Sequence, residues 1–168
     1  FYPPALGKMA VKLIDKKDGT FRPIILFRSL YRLPGRLLAQ LSREWEAKYL
    51  TRSPFGNNQG RETLYAVFRG WIRQAIELAT GSAAVAADLL IDLRKCFEYL
   101  SRDLLWKACF EHGYPMHVAR MSMQSYAWPR FILGGYDYCG KAVIGARGIA
   151  AGSPFATTEL KVYLVTLA

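Results

Sequence analysis

The amino-acid sequence predicts an α+β domain, and three patterns lead to this fold class. Residues 10–27 alternate weakly around a Lys-Lys-Asp-Gly turn, which is typical of a β-hairpin. Residues 64–76 place apolar side chains at helical spacing, and residues 83–93 form an unbroken apolar run that is typical of a buried strand. Successive helices around a few strands favour a mixed fold over a regular alternation of strand and helix.

Proline, serine and glycine predict where the other elements begin and end. Pro34 can occupy the first turn of a helix, and Pro115 can open another. Ser101 is typical of a helix N-cap, and Gly113 of the residue that ends that helix. Helices are therefore predicted at 34–49, 64–80, 101–113, 115–128 and 154–167, short strands within 130–147, and loops at 51–60 and 148–153.

Charge divides the chain into a basic and a nearly neutral part. The 168 residues have a formal net charge of +10. Residues 1–80 carry 14 Lys/Arg against 6 Asp/Glu, whereas residues 81–168 carry 9 against 7. This asymmetry suits a polyanion such as nucleic acid, although a basic surface that serves only solubility has the same composition.

Three cysteines without a CxxC spacing indicate a reduced, intracellular protein, and no apolar run approaches the roughly 20 residues of a membrane span.

Asp92 is the strongest candidate for a functional carboxylate. It ends the apolar run at 83–93, where an unpaired charge is costly unless a cation neutralises it. Mg²⁺ prefers such oxygen ligands, but an ion pair with a neighbouring Arg or Lys explains the same pattern. Asp88 lies four residues earlier, on the same face of a strand, and is either a second ligand or a salt-bridge partner.

Six segments in order resemble the motifs of the reverse transcriptase family, closest in style to the non-LTR (LINE-type) retrotransposon polymerases. Each motif is weak alone, but their order and spacing together are specific, and they cover nearly the whole chain. They are the hairpin Leu13–Ile24 with Arg-Pro-Ile, Ser29-Leu-Tyr-Arg-Leu33, Phe55-Gly-Asn-Asn-Gln-Gly-Arg-Glu-Thr63, Asp92-Leu-Arg-Lys-Cys-Phe-Glu98, His112-Gly-Tyr-Pro115 and Arg147-Gly-Ile-Ala-Ala-Gly-Ser-Pro-Phe-Ala-Thr157.

The resemblance implies a right-hand polymerase fold, with residues 1–80 as fingers and residues 81–168 as the first half of the palm. The palm sheet would be incomplete, because the second carboxylate motif of the family is absent. The implied function is RNA-templated DNA synthesis, in which a primer 3′-OH attacks a deoxynucleoside triphosphate. The implied partners are an RNA template, a DNA primer, deoxynucleoside triphosphates and the remainder of the polymerase chain, in the nucleus or cytoplasm. The fragment alone is expected to be inactive.

The resemblance also implies roles for individual residues. Asp92 would bind the catalytic Mg²⁺, or Mn²⁺ in its place, together with the backbone carbonyl of Leu93. Phe97 would be the steric gate that excludes a ribose 2′-OH. Arg22, with Lys16 or Lys17, would contact the triphosphate. Gly152 and Ser153 would let the loop approach the nucleotide and the primer–template.

Three departures from the family pattern leave alternatives open. Ala151 replaces the usual glutamine, Glu98 replaces an aspartate, and the second carboxylate pair is missing. A polymerase-derived nucleic-acid-binding module without catalysis therefore stays an alternative. An RNA-directed RNA polymerase is a second alternative, against which the bulky Phe97 argues.

Overall fold

The computed structural model describes residues 7–49, 63–81, 95–134 and 138–165, which form a mixed α+β structure. The predicted α+β class is confirmed. The described residues contain a four-stranded sheet and six helices: β1 (Met9–Asp15), β2 (Phe21–Leu26), α1 (Ser29–Tyr49), α2 (Thr63–Ala79), α3 (Cys96–Tyr99), α4 (Arg102–Glu111), α5 (Met116–Tyr126), β3 (Arg130–Gly134), β4 (Tyr138–Val143) and α6 (Ala156–Val165). The predicted segments 51–60 and 83–93 lie outside the described residues.

The chain divides into two compact units. One contains residues 1–48 and 95–168, and the other contains residues 49–94. The predicted boundary near residue 80 follows the charge distribution and stays a prediction. Within the described residues, no helix is both long enough and apolar enough to cross a membrane.

The sheet of the first unit has the strand order β2-β1-β3-β4. The predicted hairpin is confirmed, because β1 and β2 pair antiparallel with Ala10 opposite Leu26. β1 also pairs in parallel with β3, so that Met9 lies opposite Arg130. Pro23 lies in β2, an edge strand, where a missing N–H donor costs little. The sheet therefore joins the first residues of the chain to its last third.

Helices α1, α4, α5 and α6 supply most of the core on which the sheet rests. The Trp45 indole donates to the carbonyl of His112 at 2.7 Å, and its ring meets the Tyr114 ring edge-on at 5.6 Å. The Tyr31 hydroxyl lies 3.0 Å from the Ser125 hydroxyl. Buried aromatic groups in α1 are thus satisfied by partners about 70 to 90 residues later in the chain.

Helix α1 begins earlier than its proline predicted. It starts at Ser29, and Pro34 lies inside it. Tyr31, which is 1% exposed, packs its ring on Phe27 at 4.5 Å, and this burial draws the residues before Pro34 into the helix. Leu37, Leu38, Leu41, Trp45 and Tyr49 have helical spacing and predict an apolar face that includes Leu37. Leu37 is instead 79% exposed, because the buried face of α1 follows Tyr31, Gly35, Ser42 and Trp45.

The remaining helices match their sequence signals with two exceptions. The Ser101 hydroxyl caps α4 by accepting from the Leu104 N–H, α5 follows Pro115, and α6 lies within the predicted range. The short helix α3 was not predicted; Lys95, in the left-handed region at φ 50°, precedes it. In the second unit, the helical spacing of apolar residues over 64–76 predicts that Phe68 and Trp71 of α2 are core residues. They are instead 54% and 65% exposed.

Candidate functional site

Three segments that are far apart in the sequence line one cavity of about 180 Å³ in the first unit. The hairpin contributes one face of β1 and β2, α3 contributes Phe97, and the loop at 148–153 contributes Ile149 and Ala151. Glu98 and Arg130 are the charged residues at this cavity, which we call the Phe97 cavity. The other lining residues are apolar: Val11, Leu13, Pro23, Ile25, Ile132 and Val143.

Two backbone hydrogen bonds fix the loop against α3. The Gly148 N–H donates to the carbonyl of Leu100, and the Ile149 N–H donates to the carbonyl of Phe97, both at 2.8 Å. Gly148 has φ 79°, and a Cβ there would lie 2.5 Å from the carbonyl oxygen of Glu98. Only glycine fits this contact, so the backbone of Phe97 and the loop are held together.

The loop is also bonded to the hairpin. The Ile25 N–H in β2 donates to the carbonyl of Ala151 at 3.0 Å. Gly152 has φ 117°, and a Cβ there would overlap the carbonyl oxygen of Ile25. Ser153 is 8% exposed, and its hydroxyl accepts from the Phe155 N–H at 3.3 Å. In this structure Gly152 packs the loop onto the sheet, and Ser153 lies in the turn that precedes α6. Their predicted contacts with nucleotide and primer stay predictions.

The predicted phosphate-binding cations lie on a different surface from Phe97. Lys16, Lys17 and Arg22 are exposed at the hairpin tip and share a concavity there. Arg22 lies opposite Ile14 in the register, whereas the adjacent pair, Leu13 and Pro23, lines the Phe97 cavity. Because neighbouring residues of a strand point to opposite faces, the structure groups the three cations together but does not bring Arg22 into the cavity of Phe97.

The turn that carries these cations is well ordered by its own hydrogen bonds. The Lys16 N–H donates to the carbonyl of Thr20 at 2.8 Å. Asp18 accepts from the hydroxyl of Thr20 at 2.7 Å and from its N–H at 3.0 Å, and these bonds lower the pKa of the Asp18 carboxyl. Asp18 is thereby engaged within the turn, and no ion pair joins it to a lysine among the described residues.

The predicted metal ligands Asp92 and Leu93, with Asp88, lie outside the described residues. Within the part of the chain that is described, no group of three or more His, Cys, Asp or Glu side chains could hold a metal ion. Asp92 therefore stays a predicted ligand on the strength of its sequence position.

Two arginines that were not predicted from the sequence lie near the loop, and one of them, Arg102, is hydrogen-bonded to it. Arg102 donates to the carbonyl of Gly148 at 2.8 Å, to that of Tyr126 at 2.8 Å and to that of Arg147 at 3.2 Å. Arg130 also donates to the Tyr126 carbonyl, at 3.3 Å, and its buried Nε atom has no hydrogen-bond partner. Burial and the nearby charge of Arg130 lower the pKa of Arg102. Nothing distinguishes either residue in the sequence, because its partners are backbone carbonyls set by the fold.

A buried carboxylate beneath the loop was also missed. Glu159 in α6 is fully buried and accepts hydrogen bonds from the hydroxyls of Ser122 and Tyr126. Burial raises its pKa to about 7, although the two hydroxyl donors lower it. The sequence contained one signal for this site, which is a single Glu in a short apolar helix. A carboxylate that is buried in such a helix requires polar partners.

Comparison with known proteins adds no relative. No protein-family model matches the chain, and no curated protein matches it. The resemblance to reverse transcriptases therefore rests on the six sequence motifs.

Proposed function

We propose that this chain forms part of an RNA-directed DNA polymerase of the retroelement type. The observation that carries the proposal is the Phe97 cavity. It brings the residue predicted as the steric gate next to the loop of the last motif and the hairpin of the first one. Segments as distant as Val11 and Ala151 thus meet at one apolar cavity of about 180 Å³. This volume is below that of a nucleotide pocket, so the cavity supports the proximity of the three motifs and not a complete pocket. The fold proposed is the fingers and first palm half of a right-hand polymerase.

Phe97 would select deoxynucleotides by occupying the space of a 2′-OH. Its backbone is fixed through the bond from Ile149, and its side chain lines the cavity. A rigid aromatic wall discriminates by steric exclusion, which requires no polar contact to the sugar.

Asp92 and the carbonyl of Leu93 would hold Mg²⁺, for which Mn²⁺ could substitute. Bound Mg²⁺ would neutralise the negative charge that develops on the phosphate oxygens during nucleotidyl transfer. Catalysis would then rest on positioning of the primer 3′-OH and the α-phosphate by the surrounding protein.

The hairpin tip would contact the triphosphate. Lys16 and Lys17 lie in the turn itself, whereas Arg22 lies on the face of β2 that points away from the Phe97 cavity. All three cations line one concavity at the tip, and this shared position supports a joint contact with the phosphates.

One observation favours the non-catalytic alternative. The Ala151 carbonyl bonds to the hairpin and its methyl group lies at the cavity, so this position offers a nucleotide no polar side chain. A nucleic-acid-binding module without catalysis would tolerate that loss.

The test is primer extension by the full reading frame that encodes this chain, on an RNA template with a DNA primer and Mg²⁺. We expect deoxynucleotide incorporation that Asp92→Ala abolishes and Asp103→Ala, at an exposed aspartate, preserves. Phe97→Val should raise relative ribonucleotide incorporation at least about tenfold, while Phe110→Val, at an exposed aromatic, should not.

The outcomes separate the alternatives. RNA binding without incorporation would identify a binding module, and equal use of ribonucleotides by the unaltered protein would identify an RNA polymerase. The isolated 168-residue chain should not extend a primer, because one identified carboxylate cannot hold two metal ions. Extension by that chain that Asp92→Ala removes would contradict this expectation.

A further inference from the structure

Helix α1 carries a second stripe of side chains, which faces solvent. Its buried face follows Tyr31, Gly35, Ser42 and Trp45. On the opposite side, five exposed residues repeat with alternating spacings of three and four, so that they share one narrow strip of the helix surface. We call this strip the outer seam, and it consists of Leu30, Leu33, Leu37, Gln40 and Glu44.

The first half of the outer seam is apolar and open to solvent. Leu30, Leu33 and Leu37 are 55%, 56% and 79% exposed. A single exposed leucine is ordinary on a protein surface, but three on successive turns of one helix form a continuous apolar strip. The second half is polar, and the side-chain amide of Gln40 donates to the Glu44 carboxylate at 2.9 Å. The seam thus changes from apolar to polar over roughly 21 Å, at a rise of about 1.5 Å per residue.

Three arginines border the outer seam on one side. Arg32, Arg36 and Arg43 each come one residue before a seam position, so all three lie on the same flank of it. They are exposed, and among the described residues no ion pair engages any of them. In packed helices, charges beside an apolar seam select the partner helix and its orientation.

The acidic side chains of this region do not neutralise the arginine flank. Glu44 lies on the seam itself, and the buried Glu46 is paired with Lys161. Asp15 and Asp18 line the concavity at the hairpin tip, whereas α1 follows the opposite end of β2. The outer surface of α1 therefore combines an apolar strip with three cations against one carboxylate.

We infer that the outer seam binds an acidic amphipathic helix of a partner protein. Apolar side chains of that helix would cover the three leucines, and its Asp or Glu residues would pair with the arginine flank. The polar end of the seam would fix the register of the two helices. The Phe97 cavity is lined by the sheet, α3 and the 148–153 loop, so this surface on α1 is separate from it and the inference does not depend on the proposed function.

The shape of the outer seam favours a protein helix over a membrane or a nucleic acid. A helix that lies in a membrane interface presents a broad apolar face, whereas this seam is a single row of side chains. It also ends at the Glu44 carboxylate, which an anionic membrane would repel. A nucleic acid would contact the arginines through its phosphates and would leave the leucines uncovered.

Fluorescence anisotropy of two labelled synthetic peptides, titrated with the full chain, tests the inference. Both peptides repeat leucine at positions a and d over about three heptads; one carries glutamate at e and g, and the other carries lysine there. The acidic peptide should bind at least about tenfold more tightly than the basic peptide. Arg36→Glu with Arg43→Glu should reverse this preference, because like charges then face the acidic peptide.

A second pair of substitutions separates apolar contact from charge. Leu33→Ala with Leu37→Ala should weaken binding of the acidic peptide at least about tenfold without reversing the preference for it. The matched control, Leu104→Ala with Arg120→Glu, changes an exposed leucine of α4 and an exposed arginine of α5, and it should alter neither the affinity nor the preference. Thermal unfolding of each variant checks that the fold is intact.

Three results would overturn the inference. In the first, the chain with Arg36→Glu and Arg43→Glu binds the acidic peptide as tightly as the unaltered chain does. In the second, phosphatidylserine vesicles bind through Leu33 and Leu37 while the acidic peptide does not, which would identify a membrane-facing surface. In the third, light scattering shows that the chain dimerises through these leucines, which would identify a second copy as the occupant. Because no nucleotide or metal is present, failure here is distinguishable from failure of the polymerase proposal.

Discussion

Glu159 makes the stability of this protein depend on pH near neutrality. Its carboxyl is buried, and its pKa in the folded state is about 7, above the ordinary value of 4.5. Between pH 4.5 and about pH 7, the folded state therefore keeps a proton on Glu159 that the unfolded state has released. Stability from this group is fully present below about pH 4.5 and is lost as the pH rises to about 7.

Glu159→Gln should remove this loss, because an amide imitates the protonated carboxyl. From pH 4.5 to above pH 7, the free energy of unfolding of the variant should rise relative to the unaltered protein by about 3 kcal/mol at most. Urea denaturation across this range measures the difference. Glu111→Gln, at an exposed carboxylate of α4, is the control. A pH-independent difference for Glu159→Gln would contradict the assignment.

Gly152 is a position where any side chain is costly. Its φ of 117° is unfavourable for other residues, and a Cβ would overlap the carbonyl of Ile25. We expect Gly152→Ala to lower the free energy of unfolding by about 3 kcal/mol or more. Gly19→Ala is the matched control, since Gly19 also has a positive φ but has no atom within 4 Å of the added Cβ. It should cost about 1 kcal/mol, and equal costs would show that the contact with Ile25 is unimportant.

At the scale of elements, a buried ion pair joins α6 to α1. Lys161 donates to Glu46 at 2.8 Å, and Thr158 donates to the same carboxylate at 2.5 Å. Both charged side chains are less than 10% exposed. A pair of this kind fixes which faces of the two helices meet, because either charge alone would be buried without compensation.

Lys161→Met should therefore cost about 3–5 kcal/mol of unfolding free energy, measured by denaturant titration at pH 7. Adding Glu46→Gln to it should recover part of that loss, since the buried charge is then gone. Breaking the exposed Arg73–Glu77 pair of α2 with Glu77→Gln should change stability by less than about 1 kcal/mol. A Lys161→Met variant as stable as the unaltered protein would show that water reaches Glu46.

Local signals predicted elements well where the signal is itself local. The hairpin turn, the Ser101 cap and the Gly113 stop depend on neighbouring residues, and each is confirmed. Helix α1 shows the limit, because its start is set by the burial of Tyr31 against α5 and not by Pro34. The exposed apolar face of α2 shows the same limit, since helical spacing predicts a face but not its partner.

At the scale of the whole molecule, the sequence did not predict which side chains would share a surface. The hairpin, Phe97 and the 148–153 loop do line one cavity. Arg22 and Pro23 are adjacent in sequence, yet strand parity places them on opposite faces of the sheet. The partners of Arg102 and Glu159 could not be predicted from the sequence, because they lie 24 to 46 residues away along the chain.

The first unit is assembled from both ends of the chain, so its front part should not fold alone. The partners of Trp45 are Tyr114 and the carbonyl of His112, and β1 pairs with β3. A fragment of residues 1–48, in which Trp45 is the only tryptophan, should show solvent-exposed fluorescence and no cooperative unfolding. Adding residues 95–168 that carry Trp106→Phe and Trp128→Phe, so that Trp45 stays the sole tryptophan, should shift that emission to the blue. A buried Trp45 signal from residues 1–48 alone would contradict this dependence.

The bond from Ile25 to Ala151 lies on the outer edge of β2, where a strand would otherwise present an unpaired amide to solvent. The loop at 148–153 protects that edge with its own backbone. The exchange of one amide proton with deuterium, at Ile25, consequently reports whether the loop is docked on the sheet. The amide resonance of Ile25 therefore reports the contact between the hairpin and the loop in any variant or complex of this protein.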